Sequence, residues 1–106
     1  MTGPYTFTSE MRVKPEHLEE FCAALEATVD LVRREPACLV VRAHQSPDDP
    51  TVFMMYEQWA DRAAFVDEVM ARDYYVAYKA ATESFHREPR IVRVWSPRFP
   101  EDPEAD

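Results

Sequence analysis

The chain has 106 residues, the length of a single domain, and a hydrophobic fraction of 46% that is enough for a core. Its net charge of -8 argues against nucleic acid or an anionic membrane as a partner, because both are bound through clusters of lysine and arginine. The one glycine, Gly3, excludes the glycine-rich loops that hold nucleotides, NAD or FAD. No stretch resembles a signal peptide or a membrane span, so we expect a cytoplasmic protein. Without glycine-rich loops or clustered histidines, we expect no cofactor.

The first half of the chain predicts a strand, a helix and a second strand. Residues Tyr5 to Val13 alternate apolar and polar side chains, which is typical of a strand with one apolar face. Pro15 suits the first turn of a helix, and apolar residues then recur at helical spacing to about Arg34. The stretch Cys38 to Gln45 is rich in β-branched residues and predicts the second strand.

An apolar run without alternation, Val52 to Tyr56, begins the second half. This pattern predicts a central strand that is covered on both faces and ends at Glu57-Gln58-Trp59. A helix is expected from about Asp61, which can cap it, to Phe85, with a break near Ala71-Arg72-Asp73.

Residues Ile91 to Trp95 predict the fourth strand, and the stretch from Pro97 to Asp106 is acidic and rich in proline. We therefore expect one domain over residues 1–96 and a tail over 97–106. The order β-α-β-β-α-β predicts an α+β, ferredoxin-like fold with both helices on one face of the sheet. Since the apolar run requires cover on the other face as well, we expect a homodimer that packs sheet on sheet.

Nearly the whole chain, from about Tyr5 to Trp95, resembles the antibiotic biosynthesis monooxygenase (ABM) domain family. The motifs that carry the resemblance are Glu35-Pro36-Ala37-Cys38-Leu39, Asp49-Pro50, Tyr56-Glu57-Gln58-Trp59-Ala60-Asp61 and Ala64-Phe65. The resemblance implies a dimeric α+β barrel. The activities that it implies are cofactor-independent quinone-forming oxygenation, quinol oxidation and haem degradation, with polyketide cyclases on related barrels.

Some positions depart from the family's pattern. Ala37 stands where the family often has glycine, and Glu68 and Asp73 stand where it often has histidines on the second helix. Haem-degrading members use an Asn/Trp/His constellation, but this chain has no asparagine, and Tyr78 stands in place of the haem-binding histidine. The resemblance therefore favours a cofactor-free activity over haem degradation.

Aromatic side chains are the first group of candidate site residues. Trp59, Tyr56 and the pair Tyr74 and Tyr78, one turn apart on the second helix, could bind a flat phenol by stacking and hydrogen bonding. The alternative is that Trp59 is a packing residue with a satisfied N–H and that the tyrosines lie at a subunit seam.

Charged side chains are the second group. Glu68 and Asp73 are the carboxylates that we expect nearest the cavity. If they are buried there, their pKa is raised and either could act as a general base. The alternative is that both lie on a solvated helix face. Arg42 and His44 alternate on the second strand and share a side, from which Arg42 could hold a phenolate.

No metal site is expected, because no histidine pair has the spacing of metal ligands, and the two cysteines are expected to be small buried hydrophobes. The favoured hypothesis is a cofactor-independent monooxygenase of secondary metabolism that oxidises a polycyclic phenol or quinol to a quinone with O₂. Glu68, Arg42 and Tyr78 would be its catalytic residues. The expected substrate-binding residues are Trp59, Tyr74, Tyr56, Asp73 and His44. A polyketide cyclase or isomerase and a non-catalytic ligand-binding barrel remain the alternatives.

Overall fold

The computed structural model describes residues 3–99, which form a four-stranded antiparallel sheet with helices against one face. The strands are β1 (Tyr5–Arg12), β2 (Cys38–Gln45), β3 (Val52–Trp59) and β4 (Ile91–Trp95), and the helices are α1 (Leu18–Val32) and α2 (Asp73–Thr82). The strand order is β2-β3-β1-β4. This arrangement confirms the predicted α+β, ferredoxin-like fold. Of the predicted tail, residues 100–106 lie outside the described range.

The helix α1 covers the sheet through one apolar stripe. A 3₁₀ turn, Pro15–His17, comes first, because the proline fixes φ and needs no N–H partner. Phe21, Leu25 and Val32 are the buried residues of α1, at the spacing of one helical face. The α-helical part therefore lies within the predicted range and ends at Val32.

The strand β3 differs from the prediction in its pattern of burial. It includes the three residues expected at its end, and the last of them, Trp59, pairs with Tyr5 of β1. Its residues alternate between buried and more exposed, and Met54 keeps 37% of its surface exposed. Within one chain the apolar run is thus covered on the helix side only. Cover of the other face by a second copy stays a prediction.

The connection from β3 to α2 is irregular. The Asp61 Oδ1 accepts a hydrogen bond of 2.8 Å from the backbone N–H of Ala64, which is the predicted cap. A π-helical turn, Ala64–Glu68, and a 3₁₀ turn, Val69–Ala71, follow. Arg72 then adopts an extended ψ of 144°, so the helix breaks where the sequence predicts it.

Two apolar clusters lie between the sheet and the helices. The first contains Met11, Val13, Phe21, Leu25, Phe53 and Met55; the second contains Phe7, Val32, Trp59, Phe65 and Val69. Tyr78 packs against the first cluster and Tyr75 against the second. The helix α2 therefore contacts both clusters, and a cavity remains beneath it.

Candidate functional site

A cavity of about 150 Å³ lies between the sheet and the helices. Apolar side chains from every element around it form most of its wall. Those from the sheet are Phe7, Met11, Val41, Met55 and Val92, and those from the helical side are Leu25, Val29, Val32, Phe65, Val66 and Met70. A few polar side chains interrupt this wall, and they are the candidates for chemistry.

Glu57 is the only acid among the described residues that line this cavity. The pleat of β3 places it on the same face as Met55 and Trp59, so only 7% of its surface is exposed. The indole Nε1–H of Trp59 donates a hydrogen bond of 3.0 Å to Glu57 Oε1. Burial raises the pKa of Glu57 to about 7, against the lowering effects of that hydrogen bond and of Arg90. A carboxyl group with this pKa can both accept and return a proton near neutral pH.

Two tyrosines of α2, Tyr75 and Tyr78, line the same cavity as Glu57. Burial raises the pKa of Tyr78 to about 12 and also raises the pKa of Tyr75, on which the charge of Glu57 acts in the same direction. The two rings lie 6.4 Å apart, and Tyr75 meets Phe65 edge-on at 5.8 Å. Both phenols therefore stay protonated at neutral pH and can donate hydrogen bonds.

Arg90 and Ser9 are also part of the polar lining, together with Thr28 and Tyr5. Arg90 is exposed and forms no ion pair with any described residue, while its charge opposes the rise in pKa of Glu57 and both tyrosines. Ser9 is 4% exposed, and its buried Oγ has no hydrogen-bond partner. A buried hydroxyl without a partner is costly, so a ligand that supplied one would gain from it.

Residues 4–81 match the model of the antibiotic biosynthesis monooxygenase family. The chain belongs to this family. The match ends within α2, so it includes Glu57, Trp59 and both cavity tyrosines but not Arg90.

Solved structures of similar proteins share the fold. A candidate antibiotic biosynthesis monooxygenase from Nitrosomonas europaea is 24% identical, with a TM-score of 0.85 over 94% of this chain and 95% of that one. Another from Bacteroides thetaiotaomicron is 26% identical, with a TM-score of 0.86 over 93% of each chain. An uncharacterized Synechocystis protein is 23% identical over 92 residues, which are 87% of this chain but only 62% of that longer protein.

Three of the aromatic candidates lie near the cavity but have different surroundings. Tyr78 lines it. Trp59 is fully buried beside it, packs on the lining residue Phe65 at 4.9 Å and donates a hydrogen bond to Glu57. Tyr74 turns away and donates a hydrogen bond of 2.9 Å to Glu35, which also pairs with Arg72.

The other candidates lie away from the cavity. Glu68 and Asp73 are exposed, so the expectation that they are the nearest carboxylates is wrong: the nearest is Glu57. Arg42 is the cross-strand partner of Tyr56, and His44 is the partner of Met54. Tyr56 and Met54 lie on the face of the sheet that the helices leave open, so Arg42 and His44 lie on that face as well. The structure thus separates these five residues from the buried polar groups.

The sequence contained one overlooked signal. Every second residue of β3 lies on the same face of the strand, and on one face these are Phe53, Met55, Glu57 and Trp59. This spacing puts the acid Glu57 among apolar side chains. Interpreting the apolar run as a strand covered on both faces hid this alternation. Nothing comparable marked Arg90, which belongs to the connection that precedes β4.

No helix within residues 3–99 is long and apolar enough to cross a membrane. The same part of the chain contains no cluster of three or more histidine, cysteine or acidic side chains that could hold a metal ion. Cys22 and Cys38 are unpaired and half-buried, and burial raises the pKa of the Cys38 thiol to about 11, so this thiol is a poor nucleophile.

Proposed function

We propose that this chain is a cofactor-independent oxygenase that oxidises a one-ring phenol or quinol to a quinone with O₂. The observation that carries the proposal is the buried carboxyl group of Glu57, which has a pKa of about 7 and lies in an apolar cavity with Tyr78 and Arg90. Membership of the monooxygenase family supports the reaction class.

The volume of the cavity favours one ring over several. An apolar protein cavity of roughly 150 Å³ accepts benzene, whereas pockets for larger ligands span about 300–1,000 Å³. The cavity in this chain is about 150 Å³. We therefore replace the polycyclic substrate expected from the sequence by a monocyclic one.

Glu57 would act as the base. The phenol transfers its proton to the carboxylate, and Arg90 favours the resulting phenolate by its charge. The phenolate passes one electron to O₂, and superoxide then combines with the ring radical to form a carbon–oxygen bond.

The ring carbon then loses its proton to the distal peroxide oxygen while the O–O bond breaks, so the quinone forms and this oxygen leaves as hydroxide. Glu57 returns its proton to the hydroxide, so one oxygen atom enters the product and the other becomes water. The substrate supplies all the electrons. A quinol would need only the two-electron step, with hydrogen peroxide as the second product.

We further propose that the chain works as a homodimer through the open face of the sheet. Large apolar side chains there are exposed in the single chain, among them Met54, Ile91 and Trp95. Exposed apolar patches of this kind mark interaction surfaces. The cytoplasmic location expected from the sequence stays a prediction.

The experiment compares Glu57→Gln with the wild type, using methylhydroquinone and 2,6-dimethylphenol as substrates. Oxygen uptake and quinone absorbance are recorded together. We expect the variant to lose about 10²- to 10⁴-fold in rate, the usual contribution of general acid–base catalysis. Glu68→Gln is the matched control, because it removes the same charge from an exposed position. Equal rates in wild type and Glu57→Gln would refute the proposal.

The same assay separates the alternatives. Exchange of substrate protons with D₂O that depends on Glu57, without oxygen uptake, would indicate a cyclase or isomerase. Binding without either reaction would indicate an accessory barrel.

A further inference from the structure

A second space adjoins the cavity at the C-terminal end of α2. It is an open chamber of about 490 Å³, lined by the last turns of the helix and by the segment that leads to β4. Tyr78 and Arg90 line both the cavity and this chamber. The two spaces are therefore adjacent, and a ligand that occupied both would contact these two side chains.

The chamber collects basic side chains in a chain whose net charge is -8. Lys79, His86 and Arg90 line it, against one acid, Glu83. Neither Lys79 nor Arg90 forms an ion pair with any residue between 3 and 99. The buried Nδ1 of His86 also has no hydrogen-bond partner. Three positive or potentially positive groups thus meet around the chamber, and Glu83 is the one carboxylate among the described residues that line it.

The pKa shifts of Lys79 and His86 agree with this excess of basic side chains. Burial lowers the pKa of Lys79 and of His86, and the charge of Arg90 lowers both further, while only Glu83 acts the other way on Lys79. Cations beside a helix C-terminus also suit the helix dipole.

We propose that this chamber binds an anionic group of the substrate while the substrate's ring occupies the cavity. The inference rests on the proposed function and narrows its substrate class to phenols or quinols with an acidic side chain. Lys79 and Arg90 would bind the anion by charge-assisted hydrogen bonds, and a protonated His86 would add its positive charge. Arg90, shared by both spaces, would fix the distance between ring and anion.

The test compares 2,5-dihydroxyphenylacetate with its methyl ester, which keeps the ring and removes the charge. We expect the acid to bind about ten-fold more tightly by calorimetry, the lower end for hydrogen bonds to charged groups. Lys79→Met should reduce this preference roughly three-fold, as for one half-exposed charge pair. Arg62→Met is the matched control, since it removes one positive charge from an exposed position outside the chamber.

A second readout does not depend on turnover. In an NMR titration, the acid should raise the pKa of His86, because a bound anion favours the imidazolium, and the ester should leave it unchanged. Equal affinities for acid and ester, or an unmoved His86, would overturn the inference even if both compounds are oxidised. Tight, Lys79-dependent binding of the acid without oxygen uptake would instead support the anion site and refute the proposed oxygenase.

The acids beyond Phe99 are a second source of carboxylates. A full-length variant that converts them to amides distinguishes the two sources. Its substitutions are Glu101→Gln, Asp102→Asn, Glu104→Gln and Asp106→Asn. If 2,5-dihydroxyphenylacetate binds more tightly than its methyl ester only in this variant, the chain's own tail is the anion that occupies the chamber. The assignment of the chamber to the substrate is then wrong. A preference that is the same in both proteins supports the assignment.

Discussion

Replacing Glu57 by glutamine should change how the stability of the fold depends on pH. The carboxyl group has its pKa raised from 4.5 to about 7, mainly by burial. A raised pKa in the folded state means that the folded protein binds the proton more tightly than the unfolded chain. The resulting stability is fully present below pH 4.5 and is lost as the pH rises through about 7.

The size of the effect follows from that shift. At about 1.36 kcal/mol per pKa unit, the full loss is about 3 kcal/mol, and most of it, about 2–3 kcal/mol, falls between pH 5 and pH 8. The amide introduced by Glu57→Gln would keep an oxygen that accepts the hydrogen bond from Trp59 but would not titrate. We therefore expect the variant to gain stability relative to wild type as the pH rises.

The assay is urea denaturation of both proteins at pH 5 and pH 8, followed by Trp fluorescence. The change in free energy of unfolding between the two pH values is compared between wild type and Glu57→Gln, so that all other titrating groups cancel. Glu68→Gln serves as the control and should behave like wild type, because its carboxylate is exposed. If Glu57→Gln shows the same pH dependence as wild type, the carboxyl group is not buried as described, and the argument for a base fails.

Two further predictions concern other residues of β3, namely Trp59 and the pair Met54 and Met55. Trp59→Phe removes the N–H donor to Glu57, so the pKa of Glu57 should rise by about 1–2 units, the equivalent of a hydrogen bond to a charged group. An NMR titration of the carboxyl carbon measures this, and an unchanged midpoint would contradict it. Met54→Lys should give a folded monomer and Met55→Lys an unfolded chain, because only Met55 lies in the core of a single chain. Sedimentation and circular dichroism distinguish these outcomes, and a dimeric Met54→Lys would place the interface elsewhere.

The fold was predictable because its signals are local. Alternation in β1, helical spacing in α1 and the capping aspartate Asp61 each depend on neighbours within a few residues. The break at Arg72 was also visible, since Asp73 follows it as a plausible start for a new helix. Residue spacing of this kind determines the elements, and the order of the elements determines the sheet.

The site was less predictable, because its polar groups come from positions that only the folded sheet brings together. Ser9 and Glu57 lie on adjacent strands, and Arg90 precedes a third, so no spacing in the sequence joins them. The candidates chosen from the sequence were those with distinctive chemistry, such as Arg42 and Glu68. Side-chain chemistry alone does not reveal which face of the sheet a residue occupies, and for Arg42 that face is the open one.

The Glu-x-Trp pair links the family resemblance to the chemistry. Residues two apart on a strand share a face, so Glu57 and Trp59 enter the same apolar space, where a charged carboxylate is disfavoured. The indole N–H moderates that effect by stabilising the anion, which leaves the pKa near 7 rather than higher. Burial without the donor would make the acid too weak to release its proton at neutral pH. Solvation without burial would make the carboxylate too weak a base. The hydrogen-bonded pair therefore holds Glu57 in the range where it can take a proton from a phenol and return it within one turnover.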